Sequence, residues 1–161
     1  MNRIIIWGSI FSVIAASLLF FSLDSLSWKP FRCNTQVSAD IATKNGNRIE
    51  FNVNINAITL HKENSEVIVI GSLKEQGESY TVIRTIFVNH KSSGINGYST
   101  AVITGERRHP QDNMPDTLWQ HYVLPQVPGT AFYLETKKLN KNLILYKGLD
   151  NPIFICTITE D

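Results

Sequence analysis

Histidines and cysteines are the residues of this 161-residue sequence that most directly suggest chemistry. The histidines are His61, His90, His109 and His121, and none is paired at the H-x-x-x-H spacing that places two metal ligands on one helix face. No group of acidic residues accompanies them. We therefore predict no metal site and no cofactor site, and we interpret each histidine as a loop or surface residue.

One short segment partly matches a catalytic motif. Residues 97–101 read Gly-Tyr-Ser-Thr-Ala, close to the G-x-S-x-G turn that exposes a serine nucleophile. That motif requires a strand, a sharp turn and a helix in succession, whereas here the segment opens a strand. No glycine-rich phosphate loop is present either. We predict that the protein has no catalytic residue and is not an enzyme.

The two cysteines are Cys33 and Cys156, and they form no C-x-x-C pair. Thioredoxin-type redox chemistry and a four-thiolate zinc site are therefore excluded. A reactive thiol, half of a metal site and a disulfide remain. We favour a disulfide that joins the first and last strands, because extracytoplasmic compartments oxidise thiols. Closing so long a loop contributes about 4–5 kcal/mol in the chain-entropy model.

Residues 4–23, IIIWGSIFSVIAASLLFFSL, determine the compartment in which these groups lie. The stretch carries no charged side chain, and a helix of this length crosses a hydrocarbon core of about 30 Å. We predict an uncleaved transmembrane helix, with a cleaved secretory signal as the alternative. The predicted division is a cytoplasmic tail (1–3), the helix (4–23), an exit linker (24–32) and an extracytoplasmic domain (33–161). Long domains cross a membrane largely regardless of nearby charge, which supports this orientation.

Small residues recur every four positions within the predicted membrane helix. Gly8, Ser12 and Ala16 fall on one face, and such a face lets a second membrane helix approach closely. Chance is the alternative, because small residues are common in membrane helices. We retain these three residues as a candidate pairing surface.

The charge balance limits the partners of the remaining residues, which make one domain of ordinary size. The chain has 15 basic and 14 acidic residues and a net charge of +1. No strongly basic face is implied, so we predict no nucleic-acid partner.

Apolar patterning predicts eight strands and one short helix (117–123, capped by Asp116). Residues 48–58 alternate between apolar and asparagine-rich polar positions, which is typical of a strand with one buried and one solvated face. A polar cavity lined by those asparagines is the alternative. Residues 66–74 and 79–88 are apolar on both faces, which predicts cover by a helix, a ligand or another chain. The candidate partner or ligand surface comprises Val67, Ile68, Val69, Ile70, Val82, Ile83, Ile86 and Phe87.

Short connections between successive strands favour antiparallel neighbours. We predict a mainly β domain in which an antiparallel meander forms a barrel or an open half-barrel. A two-sheet sandwich is the second possibility.

The layout resembles the FidL-like membrane proteins of enteric bacteria. The similarity rests on the N-terminal anchor, the Trp-Lys-Pro-Phe exit, Cys33 within FRCNTQ and Cys156 within FICTIT. It extends, in layout, to the small membrane partners of ToxR-like transmembrane regulators. The resemblance implies a lipocalin-like fold, an inner-membrane location with a periplasmic domain, and an accessory role in signal sensing beside such a regulator.

Two other functions remain open. One is a stand-alone barrel that binds a small apolar ligand such as a bile salt or lipid, and the other is a purely structural envelope protein. An enclosed apolar cavity within one chain would favour ligand binding. An open barrel edge would favour docking of a partner, because its backbone groups can pair with another chain.

Overall fold

The computed structural model describes residues 11–18, 30–43, 46, 48–61, 63–124 and 126–159. Residues 11–18 are helical (α1), and within the described ranges no helix has both the length and the apolar character needed to cross a membrane. The predicted transmembrane helix (4–23) extends past α1 on both sides. Residues 4–10 and 19–23 of the predicted helix, the tail and most of the exit linker lie outside the described residues.

In the described part of the chain, eight strands and a second helix follow α1, in agreement with the predicted number of elements. Helix α2 begins at Asp116, and Pro115 rather than Asp116 occupies its N-cap position. The Asp116 carboxylate contacts an arginine instead. The strands are β1 (Phe31–Ala42), β2 (Arg48–His61), β3 (Asn64–Glu75), β4 (Glu78–Ser92), β5 (Tyr98–Arg108), β6 (Ala131–Lys138), β7 (Leu143–Lys147) and β8 (Pro152–Thr159), with α2 (Asp116–Tyr122) between β5 and β6.

The sheet closes on itself. Each strand pairs antiparallel with the next, and β1 also pairs with β8, so the eight strands form a closed barrel. The predicted barrel is confirmed, whereas the open half-barrel and the two-sheet sandwich are wrong. The β1–β8 ladder is only three residue pairs long. The predicted disulfide between Cys33 and Cys156 crosses this seam, with the two Cα atoms 5.4 Å apart.

Side chains alternate between the barrel interior and solvent, as period-two patterning requires. On β2, Ile49 and Val53 are buried, whereas Asn54 is exposed. Asn34 on β1 donates from Nδ2 to Oδ1 of Asn54 at 2.8 Å and to Oδ1 of Asn56 at 2.7 Å. The asparagine row is therefore an outer polar surface, as interpreted, and does not line a cavity.

Gly71 allows β3 to lie close against β2. A Cβ atom at this position would collide with the carbonyl oxygen of Asn52 and would lie 2.6 Å from the Cα atom of Val53. Such separations are far below van der Waals contact, so only glycine fits here.

The two ends of the barrel differ. At the α2 end, residues 109–115 run back along β4, where the backbone N–H of His109 donates to the carbonyl of Ile83 at 3.0 Å and that of Asn113 donates to the carbonyl of Thr81 at 3.2 Å. This segment places α2 so that Trp119 is fully buried. The opposite end, where β1 begins, carries the β2–β3, β4–β5 and β6–β7 connections. We call it the entry end.

Candidate ligand-binding cavity

A cavity of about 120 Å³ lies inside the barrel. Strands β2 to β8 form its wall, together with Val123 at the C-terminus of α2. Engineered apolar cavities of about 150 Å³ hold benzene, so this one accommodates a ring or an alkyl chain of similar size. The lining residues are Ile55, Ala57, Ser65, Val67, Val69, Ile86, Val88, His90, Ile103, Val123, Phe132, Leu134, Tyr146, Ile153 and Phe154.

Polar side chains meet at one side of this apolar wall. The Nε2 atom of His90 lies 3.0 Å from the Ser65 hydroxyl, which lies 3.1 Å from the Thr59 hydroxyl. The Thr59 hydroxyl also interacts with the Tyr146 phenol. We call Thr59, Ser65, His90 and Tyr146 the polar row. Because four different strands contribute these residues, only the closed barrel brings them together.

The polar row is electrically neutral. Burial lowers the pKa of His90, so its imidazole is uncharged at neutral pH. Burial also raises the pKa of Tyr146, and the hydrogen bond with Thr59 only partly opposes that rise. A neutral imidazole has one donor and one acceptor nitrogen, so His90 can bind either kind of partner through Nδ1.

A polar groove of about 490 Å³ opens at the entry end. His90 and Leu134 line both the groove and the cavity, so these two residues form the boundary between them. The groove is lined by Glu63, His90, Lys91, Ser92, Ser93, Ile95, Asn96, Gly97, Tyr98, Ser99, Leu134 and Thr136.

A buried arginine closes the α2 end. Arg84 on β4 is 1% exposed, and its Nε donates to Oδ2 of Asp112 at 3.1 Å. Its Nη1 lies 2.9 Å from Oδ1 of Asp116, an ion pair without hydrogen-bond geometry. The guanidinium stacks over Trp119 at 4.8 Å from the ring centroid, and the indole N–H donates to Glu106 at 2.7 Å. We call these five residues the arginine cluster.

Opposite charges hold the arginine cluster in its ionised form. Burial alone would lower the pKa of Arg84, but Asp112 and Asp116 outweigh it and the pKa is raised. Burial alone would raise the pKa of Asp112. The pKa is nevertheless lowered, because Asp112 accepts hydrogen bonds from Arg84 and the Ile83 backbone and lies near the positive charges of Arg84 and Arg108. Perturbed pKa values often mark functional sites. Here each charge is matched, and the cluster ties α2 to β4 and β5.

The family comparison agrees with the resemblance. Residues 71–156 match the model of the FidL-like putative membrane protein family. The chain belongs to the FidL-like family. No curated protein matches it. The matched region runs from β3 into β8, so it includes the arginine cluster, most residues of the polar groove and most of the cavity wall of this FidL-like chain.

The candidate partner or ligand surface predicted from the two apolar strands is divided between two faces of the barrel. Val67, Val69 and Ile86 line the cavity, and Val82 is fully buried. The other four residues face outward, because successive residues of a strand point to opposite sides. We call them the outer patch, and they are Ile68, Ile70, Ile83 and Phe87.

Within the described part of the chain, no helix covers this outer face, and the predicted cover by a ligand or another chain stays a prediction. Ile70 is 47% exposed, and Ile68, Ile83 and Phe87 are only half-buried. Phe87 is partly shielded by Arg107, whose guanidinium lies 5.6 Å from the ring centroid.

The candidate membrane-helix pairing surface stays a prediction. Ser12 and Ala16 are exposed on α1, and Gly8 lies outside the described residues. Among the residues that the structure describes, no three His, Cys, Asp or Glu side chains are grouped to hold a metal ion.

The polar row was missed at the sequence level. His90 is a half-buried strand residue rather than a loop or surface residue, so that interpretation is wrong. The alternation of β4 contained the signal, since His90 has the same parity as the inward-facing Val82, Ile86 and Val88. Its hydrogen-bonding partners lie on other strands and have no spacing that a sequence reveals.

Proposed function

We propose that this barrel binds a small apolar ligand in its interior. The observation that carries the proposal is the apolar cavity inside the closed barrel of one chain. Burial of apolar surface stabilises such a complex by about 25 cal/mol per Å². A closed barrel needs no second chain to complete its wall, which favours ligand binding over docking at an open edge.

The size of the cavity narrows the ligand class expected from the sequence. The fused rings of a bile salt and the full tail of a membrane lipid exceed a volume of about 120 Å³. Drug-sized pockets are about 300–1,000 Å³. The proposed ligand therefore presents a ring or an alkyl segment of about six carbons to the cavity.

We place this binding protein at the bacterial inner membrane, with the helix at 4–23 as its anchor, the N-terminus in the cytoplasm and the barrel in the periplasm. The uncharged N-terminal stretch and membership of the FidL-like family support this location.

Two neighbouring residues on β3 provide the test. Val67 lines the cavity and Ile68 faces outward, so Val67→Phe fills the cavity while Ile68→Phe adds the same ring outside it. Hexan-1-ol binding to the full chain in lipid nanodiscs is measured by calorimetry, with empty nanodiscs as the blank. We expect saturable binding that weakens at least tenfold in Val67→Phe and is unchanged in Ile68→Phe. Absence of saturable binding to the unaltered chain, or equal binding by both variants, would refute the proposal.

The outer patch favours a second function, that of an accessory protein for a ToxR-like transmembrane regulator. Exposed apolar residues grouped on one face are typical of a protein contact. A photocrosslinking amino acid at Ile70 should then capture such a regulator in intact cells, whereas the same group at the exposed Gln36 on β1 should not. Equal capture from both positions, or none from Ile70, would exclude this contact.

A further inference from the structure

We propose that the ligand is an amphiphile with a short apolar end and a larger, uncharged, hydroxyl-rich head, and that His90 binds the head where the two ends join. The inference rests on the proposed function and specifies the chemistry of its ligand.

The two chambers of the barrel match such a molecule in size and polarity. The inner chamber is the apolar cavity of about 120 Å³, and the outer chamber is the polar groove of about 490 Å³. His90 and Leu134 line both, so the two chambers adjoin at these side chains, and the proposed ligand occupies both chambers there.

His90 is arranged to bind at that junction. Its Nε2 atom is held by Ser65, and its Nδ1 atom makes no hydrogen bond among the described residues. The contact with Ser65 occupies one ring nitrogen, which leaves Nδ1 to bind the proposed ligand. A hydroxyl or ether oxygen next to the apolar end would meet this atom.

The groove contains further hydrogen-bonding groups that the protein itself does not use. The side chains of Ser92, Asn96 and Thr136 line it and make no hydrogen bond within the described part of the chain. The two charged side chains on its rim, Glu63 and Lys91, have opposite signs. A head with several hydroxyl groups and no net charge satisfies these groups without leaving an unmatched charge.

The experiment compares three probes that divide the amphiphile into its parts. Hexyl glucoside, hexan-1-ol and glucose are titrated into the full chain in nanodiscs. We expect hexyl glucoside to bind at least tenfold more tightly than hexan-1-ol, and glucose to bind more weakly than either. His90→Phe should remove the preference for hexyl glucoside but retain hexan-1-ol binding. The matched control is His121→Phe, at an exposed position on α2, and it should leave the preference unchanged.

Thr136→Val is a second variant with little change in shape. It should reduce the preference for hexyl glucoside by about threefold to tenfold, because one hydrogen bond to the head is lost. Equal affinities for hexyl glucoside and hexan-1-ol would overturn the amphiphile proposal and leave the apolar-ligand proposal standing. A preference that survives both His90→Phe and Thr136→Val would also overturn it. Absence of hexan-1-ol binding would refute both proposals.

Discussion

Removing the Asp112 carboxylate should destabilise the barrel more than any single change on its surface. This carboxylate accepts hydrogen bonds from Arg84 Nε at 3.1 Å, the backbone N–H of Ile83 at 2.9 Å and the backbone N–H of Met114 at 3.1 Å. Asp112→Ala leaves Arg84 buried with less compensating charge. Breaking a buried ion pair from one side costs about 3–5 kcal/mol.

The remaining carboxylates do not replace Asp112. The side chain of Asp116 is 63% exposed and that of Glu106 is 31% exposed, so water screens both. The two backbone N–H groups of Ile83 and Met114 also lose a charged acceptor, and hydrogen bonds of this kind contribute about 1.5–3 kcal/mol each, which gives a loss in the same range. We therefore expect the free energy of unfolding to fall by about 3–5 kcal/mol.

Urea unfolding of the full chain in a non-ionic detergent, followed by circular dichroism, measures this loss. A denaturant slope of about 2 kcal/mol per molar turns it into a midpoint shift of about 2 M. The control is Glu50→Ala, since Glu50 pairs with Lys74 at 3.5 Å on the surface, where a salt bridge contributes about 0–1 kcal/mol.

A double variant separates the charge from the packing. Arg84→Met combined with Asp112→Ala removes both charges, so it should be more stable than Asp112→Ala alone. If Asp112→Ala behaves like Glu50→Ala, or if the double variant loses the sum of the two single losses, the arginine cluster does not hold α2 in place as described.

Three further changes test the seam, the strand packing and the polar row. Replacing Cys33 and Cys156 together by alanine should lower the free energy of unfolding by about 3–5 kcal/mol, because the disulfide joins residues 123 positions apart. Urea unfolding measures the change, and a loss below about 1 kcal/mol would contradict the prediction. Gly71→Ala should reduce the free energy of unfolding by about 1–3 kcal/mol and so lower the melting temperature. The control is Gly105→Ala, which should have no such effect because the added Cβ meets no neighbouring strand within 4 Å. Equal melting temperatures of the two variants would disprove the close approach of β3 to β2. Folding lowers the pKa of His90, so below about pH 6.5 the unfolded chain binds more protons at this residue than the folded chain does. The urea midpoint should therefore fall as the pH drops below about 6.5. His90→Phe should abolish that fall.

The strands could be predicted because their side chains record the two faces of the sheet. Ile49 and Val53 alternate with polar residues, and this period fixes both the element and its buried side. Barrel closure was harder to predict from the sequence, because the β1–β8 pairing joins the ends of the domain and leaves no local pattern. The main sequence evidence for closure was that Cys33 lies near the start of the domain and Cys156 near its end.

The candidate site was only half predicted, and for a physical reason. Apolar runs identified Val67 and Ile86, which line the cavity, but they also included outward residues such as Ile70. The same runs concealed Arg84, whose carboxylate partners follow 22 to 32 residues later and are found only in the folded chain. Buried polar groups depend on long-range partners, so their roles cannot be inferred from spacing.

The short seam also orders events during synthesis of the chain. The other seven ladders of the described barrel join strands that are adjacent in sequence, so each can form before the chain is complete. β1 leaves the ribosome first, but the three residues of β8 that pair with it are among the last to emerge. Cys33 therefore cannot bond to Cys156 until translation is almost complete. A chain that ends before β8 lacks both the β1–β8 ladder and the partner of Cys33, so its barrel cannot close.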